Sequence, residues 1–118
     1  MIKIEIPKLT QEFEIGGEVF VMDLSLEATK IRNAKWAEVL KIFADEKETM
    51  TTERELELYK KGLNYTFGEG SFDKIYEMCG ENLNIFNAVI NRITDEMSKL
   101  LVMQSARDAV AKARNSHV

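Results

Sequence analysis

The chain holds one cysteine (Cys79), one histidine (His117) and one proline (Pro7) in 118 residues. A lone thiol excludes a disulfide within the chain, and one Cys with one His falls short of a zinc ligand set. A single thiol on an apolar stripe fits a reducing compartment. His117 falls in a stretch expected to fray, so a Ser-His or Cys-His catalytic couple lacks an anchored base. No window reaches the ~20 apolar residues of a membrane span. The opening MIKIEIPKLT has no signal-peptide apolar run. The expectation is a cytoplasmic protein with no membrane partner.

Positive charge is also scarce. Net charge is −4, with 12 Lys/Arg against 19 Asp/Glu in residues 1–98 and 4 against 1 in residues 99–118. An acidic body argues against nucleic acid as the main partner. The basic tail is too sparse for a phosphate-binding stripe, and cations there suit the negative end of a helix dipole.

What is present suffices for a core. Hydrophobic residues make up 45% and charged residues 31% of the chain. A chain of this length suits a single domain, 1–118, and buries roughly two-thirds of its unfolded surface. No internal repeat or low-complexity tract divides it.

The N-terminal 2–22 read as a β element. Ile2-Lys3-Ile4-Glu5-Ile6 alternate apolar and charged, as a half-buried strand does, and Pro7 ends that strand or holds it at an edge. Gly16-Gly17 between two β-prone runs is a two-residue hairpin signal, because such turns need φ > 0. That turn sets Phe13 opposite Phe20, with Ile15 on the same face.

Residues 26–114 read as a helical body. Ser25 is a good N-cap with Glu27 behind it, and a helix over 26–46 carries Ala28, Ile31, Trp36, Val39, Leu40, Ile42 and Phe43. The polar stretch Asp45–Thr52 reads as a mobile loop. Thr52-Glu53-Arg54-Glu55 matches a capping box, and Leu56, Tyr59, Leu63 and Phe67 follow on one helix face. Ser71 is the expected cap of a short third helix, with Phe72, Ile75, Tyr76 and Cys79 as its buried stripe and Gly80 closing it. Asn82 caps a long last helix, whose Leu83, Phe86, Ile90, Ile93, Met97 and Leu100 form a heptad-like seam. The fold class is therefore mostly α (α+β): a small antiparallel β element, then about four helices, the last one long. The expected core is Phe13, Phe20, Ile31, Trp36, Leu40, Leu63, Phe72, Ile75, Tyr76, Phe86, Ile90 and Ile93, with the hairpin set on Trp36, Leu40 and Phe43.

Gly68-Glu69-Gly70 ahead of a helix raises the question of a phosphate loop. A P-loop needs a strand before the glycines and Lys-Ser/Thr after them. Here a helical pattern precedes, Ser71-Phe72-Asp73 follows, and Asp73 would repel a phosphate. A dinucleotide fingerprint lacks its third glycine and βαβ frame. The glycines read as punctuation between helices. Glu53, Glu55, Glu57 and the Asp95-Glu96 pair are spread around helix surfaces, so no paired-carboxylate site or calcium loop emerges. No enzyme, cofactor or metal is expected.

What remains is surface. Residues 82–114 would span on the order of 50 Å as one helix, against a ~13 Å radius of gyration for a compact 100-residue domain. Part of that helix is expected to project. It is either a solvated Ala-rich extension or a partner-binding face formed by Leu100, Leu101, Met103 and Val110, where adaptable methionine is favoured.

Two blocks, FEIGGEVFVMDLS (13–25) and FGEGSFDKIYEMCGEN (67–82), lie either side of the first two expected helices, and the second leads into the long apolar helix. This layout resembles the small tail assembly chaperones of long-tailed phages and prophages of low-GC Gram-positive hosts. The resemblance covers most of the chain and carries no catalytic motif. It implies a non-enzymatic role: binding and solubilising the tape measure protein, and helping recruit tail tube protein through a longer frameshifted form. The face on the last helix leaves a homo-oligomer open as well, since it could meet another subunit. Two alternatives stay open: a structural head–tail joining or tail completion protein, and a small helical dimeric regulator. Against the latter stand the acidic charge and the lack of a recognition-helix pattern.

Overall fold

In a computed structural model of the chain, the described residues are 1–6 and 9–115, with side chains described through residue 100. Two strands, β1 (Thr10–Ile15) and β2 (Glu18–Asp23), precede four helices, α1 (Leu26–Asp45), α2 (Thr52–Phe67), α3 (Ser71–Met78) and α4 (Leu83–Asn115). The chain divides into two compact units, Met1–Gly80 and Glu81–Val118.

In the first unit β1 and β2 form an antiparallel hairpin, and Phe13 stands opposite Phe20 as the Gly-Gly turn requires. Gly16 and Gly17 both have positive φ, +60° and +83°. That is the left-handed pair which matches the strands' own twist. A Cβ added at Gly16 would lie 2.9 Å from Met78 Sδ. Gly16→Ala therefore combines backbone strain with a crowded contact, and should lower stability by ~1–2 kcal/mol in urea denaturation. Gly17→Ala meets no neighbour within 4 Å and should cost only the strain.

The hairpin's apolar face meets the end of α2 rather than the expected trio on α1. Phe67 receives Phe13 edge-on at 5.1 Å between ring centroids and Phe20 at 5.7 Å. Phe43 instead meets Tyr59 at 5.3 Å, and Leu40 is 63% exposed.

The buried face of α1 also differs from expectation. Arg32, Trp36 and Val39 are buried, while Ile31 and Leu40 are exposed. At about 100° per residue, Ile31 and Leu40 lie about 110° and 70° around the helix from the buried stripe. Trp36 selects the face. Its ring fills the space above Gly62 of α2, where an added Cβ would come within 2.7 Å of it. Trp36 Nε1 donates to Thr66 Oγ1 at 2.8 Å, and Thr66 Oγ1 donates to the Gly62 carbonyl at 2.8 Å. Leu58 and Leu63 complete the buried face of α2. On α3, Phe72 and Ile75 are buried, and Tyr76 is half-buried and stacked on Phe72.

Three local readings need correction. Ile2–Ile6 form no strand, and Ile2, Ile4 and Ile6 are 86–89% exposed. Alternation supplies a strand's faces but not its neighbour. The cap of α2 is Thr51, whose hydroxyl accepts from Arg54 N at 3.1 Å, one residue before the expected Thr52. Ser71 caps nothing. Its hydroxyl donates to the Leu63 carbonyl at 3.0 Å, and Asn64 Oδ1 accepts from Phe72 N at 3.3 Å in its place. Between α1 and α2, Arg54 grips Glu46 through Nε at 3.3 Å and Nη2 at 3.1 Å.

In the second unit Asn82 caps α4 as expected, its Oδ1 accepting from Ile85 N at 3.1 Å. Phe86, Ile90 and Ile93 are buried, with 0–3% exposure. No helix among the described residues is long and apolar enough to cross a membrane.

Candidate functional site

The glycine loop is a helix-to-helix turn. Gly68 ends α2, its N–H donating to the Asn64 carbonyl at 3.0 Å, and Gly70 precedes α3 in the left-handed region. Ser71 N donates to the Gly68 carbonyl at 3.2 Å. One amide that a phosphate would use at the start of α3, that of Phe72, is already held by Asn64. Asp73 stands in the same first turn, 3.9 Å from Lys60 Nζ.

Cys79 is buried, and burial pushes its thiol above the usual range. A thiol so placed stays protonated near neutrality, which suits packing rather than nucleophilic attack. Among the described residues, no group of three or more His, Cys, Asp or Glu could hold a metal ion.

A second densely bonded feature is the junction between hairpin and α1, at Asp23-Leu24-Ser25. Asp23 Oδ1 accepts from Ser25 N at 2.8 Å, and Ser25 Oγ accepts from Ala28 N at 3.3 Å. Leu24 N donates to the Leu9 carbonyl at 2.7 Å. Arg32, only 5% exposed, donates from Nη1 to the Asp23 carbonyl at 2.8 Å and from Nη2 to Thr29 Oγ1 at 3.2 Å. Burial lowers the Arg32 pKa, opposed by the Asp23 carboxylate. The Ser25 backbone N–H, then its side chain, hold the Asp23 carboxyl below its ordinary 3.8, and Arg32 adds to that. A carboxyl whose pKa is depressed on folding stabilises above its unfolded pKa and loses that contribution as pH falls through the folded value. Asp23→Asn should thus differ from the parent in stability near neutrality, and the difference should vanish in acid, read by thermal melts across pH 2–7.

Sequence reasoning missed Arg32 as a buried residue. The available signal was its place on Trp36's side of α1, four residues before Trp36 and seven before Val39.

Of the expected partner-binding residues, Leu100 is half-buried, and the side chains of Leu101, Met103 and Val110 lie outside the described residues. Leu100 continues the stripe of Phe86, Ile90, Ile93 and Met97 along α4 in steps of four and three. Cover thins along it, from near-complete burial at Phe86 to half-burial at Met97 and Leu100. Beside it, Glu96 is bridged by Lys99 at 3.1 Å and Arg92 at 3.4 Å. The Glu96 carboxylate beside the stripe is therefore neutralised locally. Comparison with family models, with curated proteins and with solved structures finds no match.

Proposed function

We propose that this chain is a non-enzymatic tail assembly chaperone, acting in the host bacterial cytoplasm on the tape measure protein of its own phage or prophage. The observation that carries the reading is the α4 stripe, covered at Phe86, Ile90 and Ile93 and opening at Met97 and Leu100. A helix whose apolar stripe runs on as a seam can seat a second apolar helix through anchors at i, i+3, i+4 and i+7. An unassembled tape measure protein exposes such faces, which aggregate when uncovered. Many weak sites along one filament gain from effective concentration. The net charge of −4 keeps crowded copies apart. Recruitment of the tail tube protein falls to a longer frameshifted form.

The test is a pull-down of the tape measure protein by purified wild type and two variants. Leu100→Asp should lose most binding, because it places a charge in an apolar seam. Reversal of Arg107, Lys112 and Arg114 to Glu should change it less, since the reading assigns the contact to apolar anchors and charge effects are screened by salt. Equal binding by Leu100→Asp and wild type contradicts the assigned face. Recovery of the chain from finished, purified particles would favour a structural head–tail or tail completion protein instead.

A further inference from the structure

The N-terminal arm has the chemistry of a strand but pairs with no strand among the described residues. Ile2, Ile4 and Ile6 fall on one side by the two-residue period, Lys3 and Glu5 on the other. All three isoleucines and Leu9 stand 65–89% exposed.

The hairpin, in turn, has one open edge. Leu24 N bonds to the Leu9 carbonyl, so odd-numbered residues of β1 face β2, while Thr10, Glu12 and Glu14 turn their backbone groups outward. The outer edge of β2 is blocked at Asp23, whose carbonyl Arg32 occupies. The core side of the sheet is also uneven. Phe20 and Met22 of β2 are 7% and 2% exposed, whereas Gln11, Phe13 and Ile15 of β1 are only half-buried. A half-buried strip of Gln11, Phe13 and Ile15 therefore runs along the edge of β1, with no third strand beside it among the described residues.

We infer that residues 2–6 of one chain add antiparallel to the β1 edge of a second copy, reciprocally, forming a two-fold dimer. The register that seats all three isoleucines along residues 9–13 also pairs the charges. Lys3 lies opposite Glu12 and Glu5 opposite Thr10 on the outer face. Ile2, Ile4 and Ile6 lie beside Phe13, Gln11 and Leu9 on the apolar face. A slip of two residues that moves Lys3 to Glu14 sets Glu5 against Glu12, a like-charge pair that destabilises a ladder. The chain's own arm would need the same register through a two-residue turn at Pro7-Lys8. The favoured turns of that length have φ > 0 at their first position, which the proline ring forbids. A second copy supplies the strand without the turn, as exchanged elements do. This inference does not depend on the partner proposed above.

The test is light scattering and sedimentation of the purified full-length chain over a wide concentration range. Wild type should pass from monomer to dimer. Glu5→Pro removes an N–H from the ladder at an exposed position and should abolish the dimer while leaving the thermal melt of the monomer unchanged. Lys3→Glu and Glu12→Lys should each weaken the dimer by roughly threefold to tenfold, and the two together should restore it. A wild type that stays monomeric at every concentration overturns the proposal, including the case in which its Lys3 and Glu5 amides resist hydrogen exchange on its own hairpin. A dimer indifferent to Glu5→Pro, or a double charge swap no better than the single variants, also overturns it.

Discussion

Trp36→Ala should lower unfolding free energy by ~3–5 kcal/mol, a large share of the ~5–15 kcal/mol typical of a domain. The ring is 9% exposed, seats on Gly62 and donates from its indole nitrogen to Thr66. Its removal leaves a cavity between α1 and α2 and an unpartnered lone pair on a buried hydroxyl. The same contact sets the sign at Gly62. Alanine gains ~1 kcal/mol over glycine in a helix interior. Here its methyl would sit 2.7 Å from a rigid ring held by a hydrogen bond, and overpacking costs ~1–3 kcal/mol. Gly62→Ala should therefore destabilise despite its propensity gain. Urea midpoints of both variants check this, and a more stable Gly62→Ala would mean that the two helices do not cross there.

Arg32→Ala should cost ~2–4 kcal/mol, combining lost packing of a buried stem with two lost hydrogen bonds from a charged donor. Its guanidinium ties the last residue of β2 to the first turns of α1. Arg32→Lys should recover only part of this. An ammonium on a different stem has no planar fork to reach both the Asp23 carbonyl and the Thr29 hydroxyl. Arg32→Met, which fills space without donating, separates packing from bonding. A melt for Arg32→Ala within a degree or two of the parent would show that the junction is held by Ser25 and Leu24 alone.

The features legible in the sequence were those encoded within a few residues. Gly16-Gly17 fixed the hairpin turn and hence the Phe13–Phe20 register. Ser25 and Asn82 each carried a cap whose partner lies three residues on. The features missed depend on distant partners. Asn64 displaces Ser71 as the donor-satisfying group of α3 from seven residues away. The buried stripe of α1 follows from the gap that Gly62 leaves for Trp36, which hydrophobicity alone does not mark, so Ile31 and Leu40 were placed inward on size and spacing. Thr51 and Thr52 are chemically equal caps, and the choice between them falls where Arg54 can both cap on Thr51 and grip Glu46. The arm's alternation was legible as strand chemistry, but no local pattern says whose edge it joins. For the candidate surface, the α4 seam was legible as far as Leu100.

The most direct test of the proposed function is co-expression with the tape measure protein encoded in the same genome, read as the share of that partner left in the supernatant after high-speed centrifugation. The account predicts that the tape measure protein is insoluble alone, becomes soluble with the wild-type chain, and co-elutes with it. A tape measure protein that stays in the pellet and unbound beside abundant folded wild-type chain would contradict it.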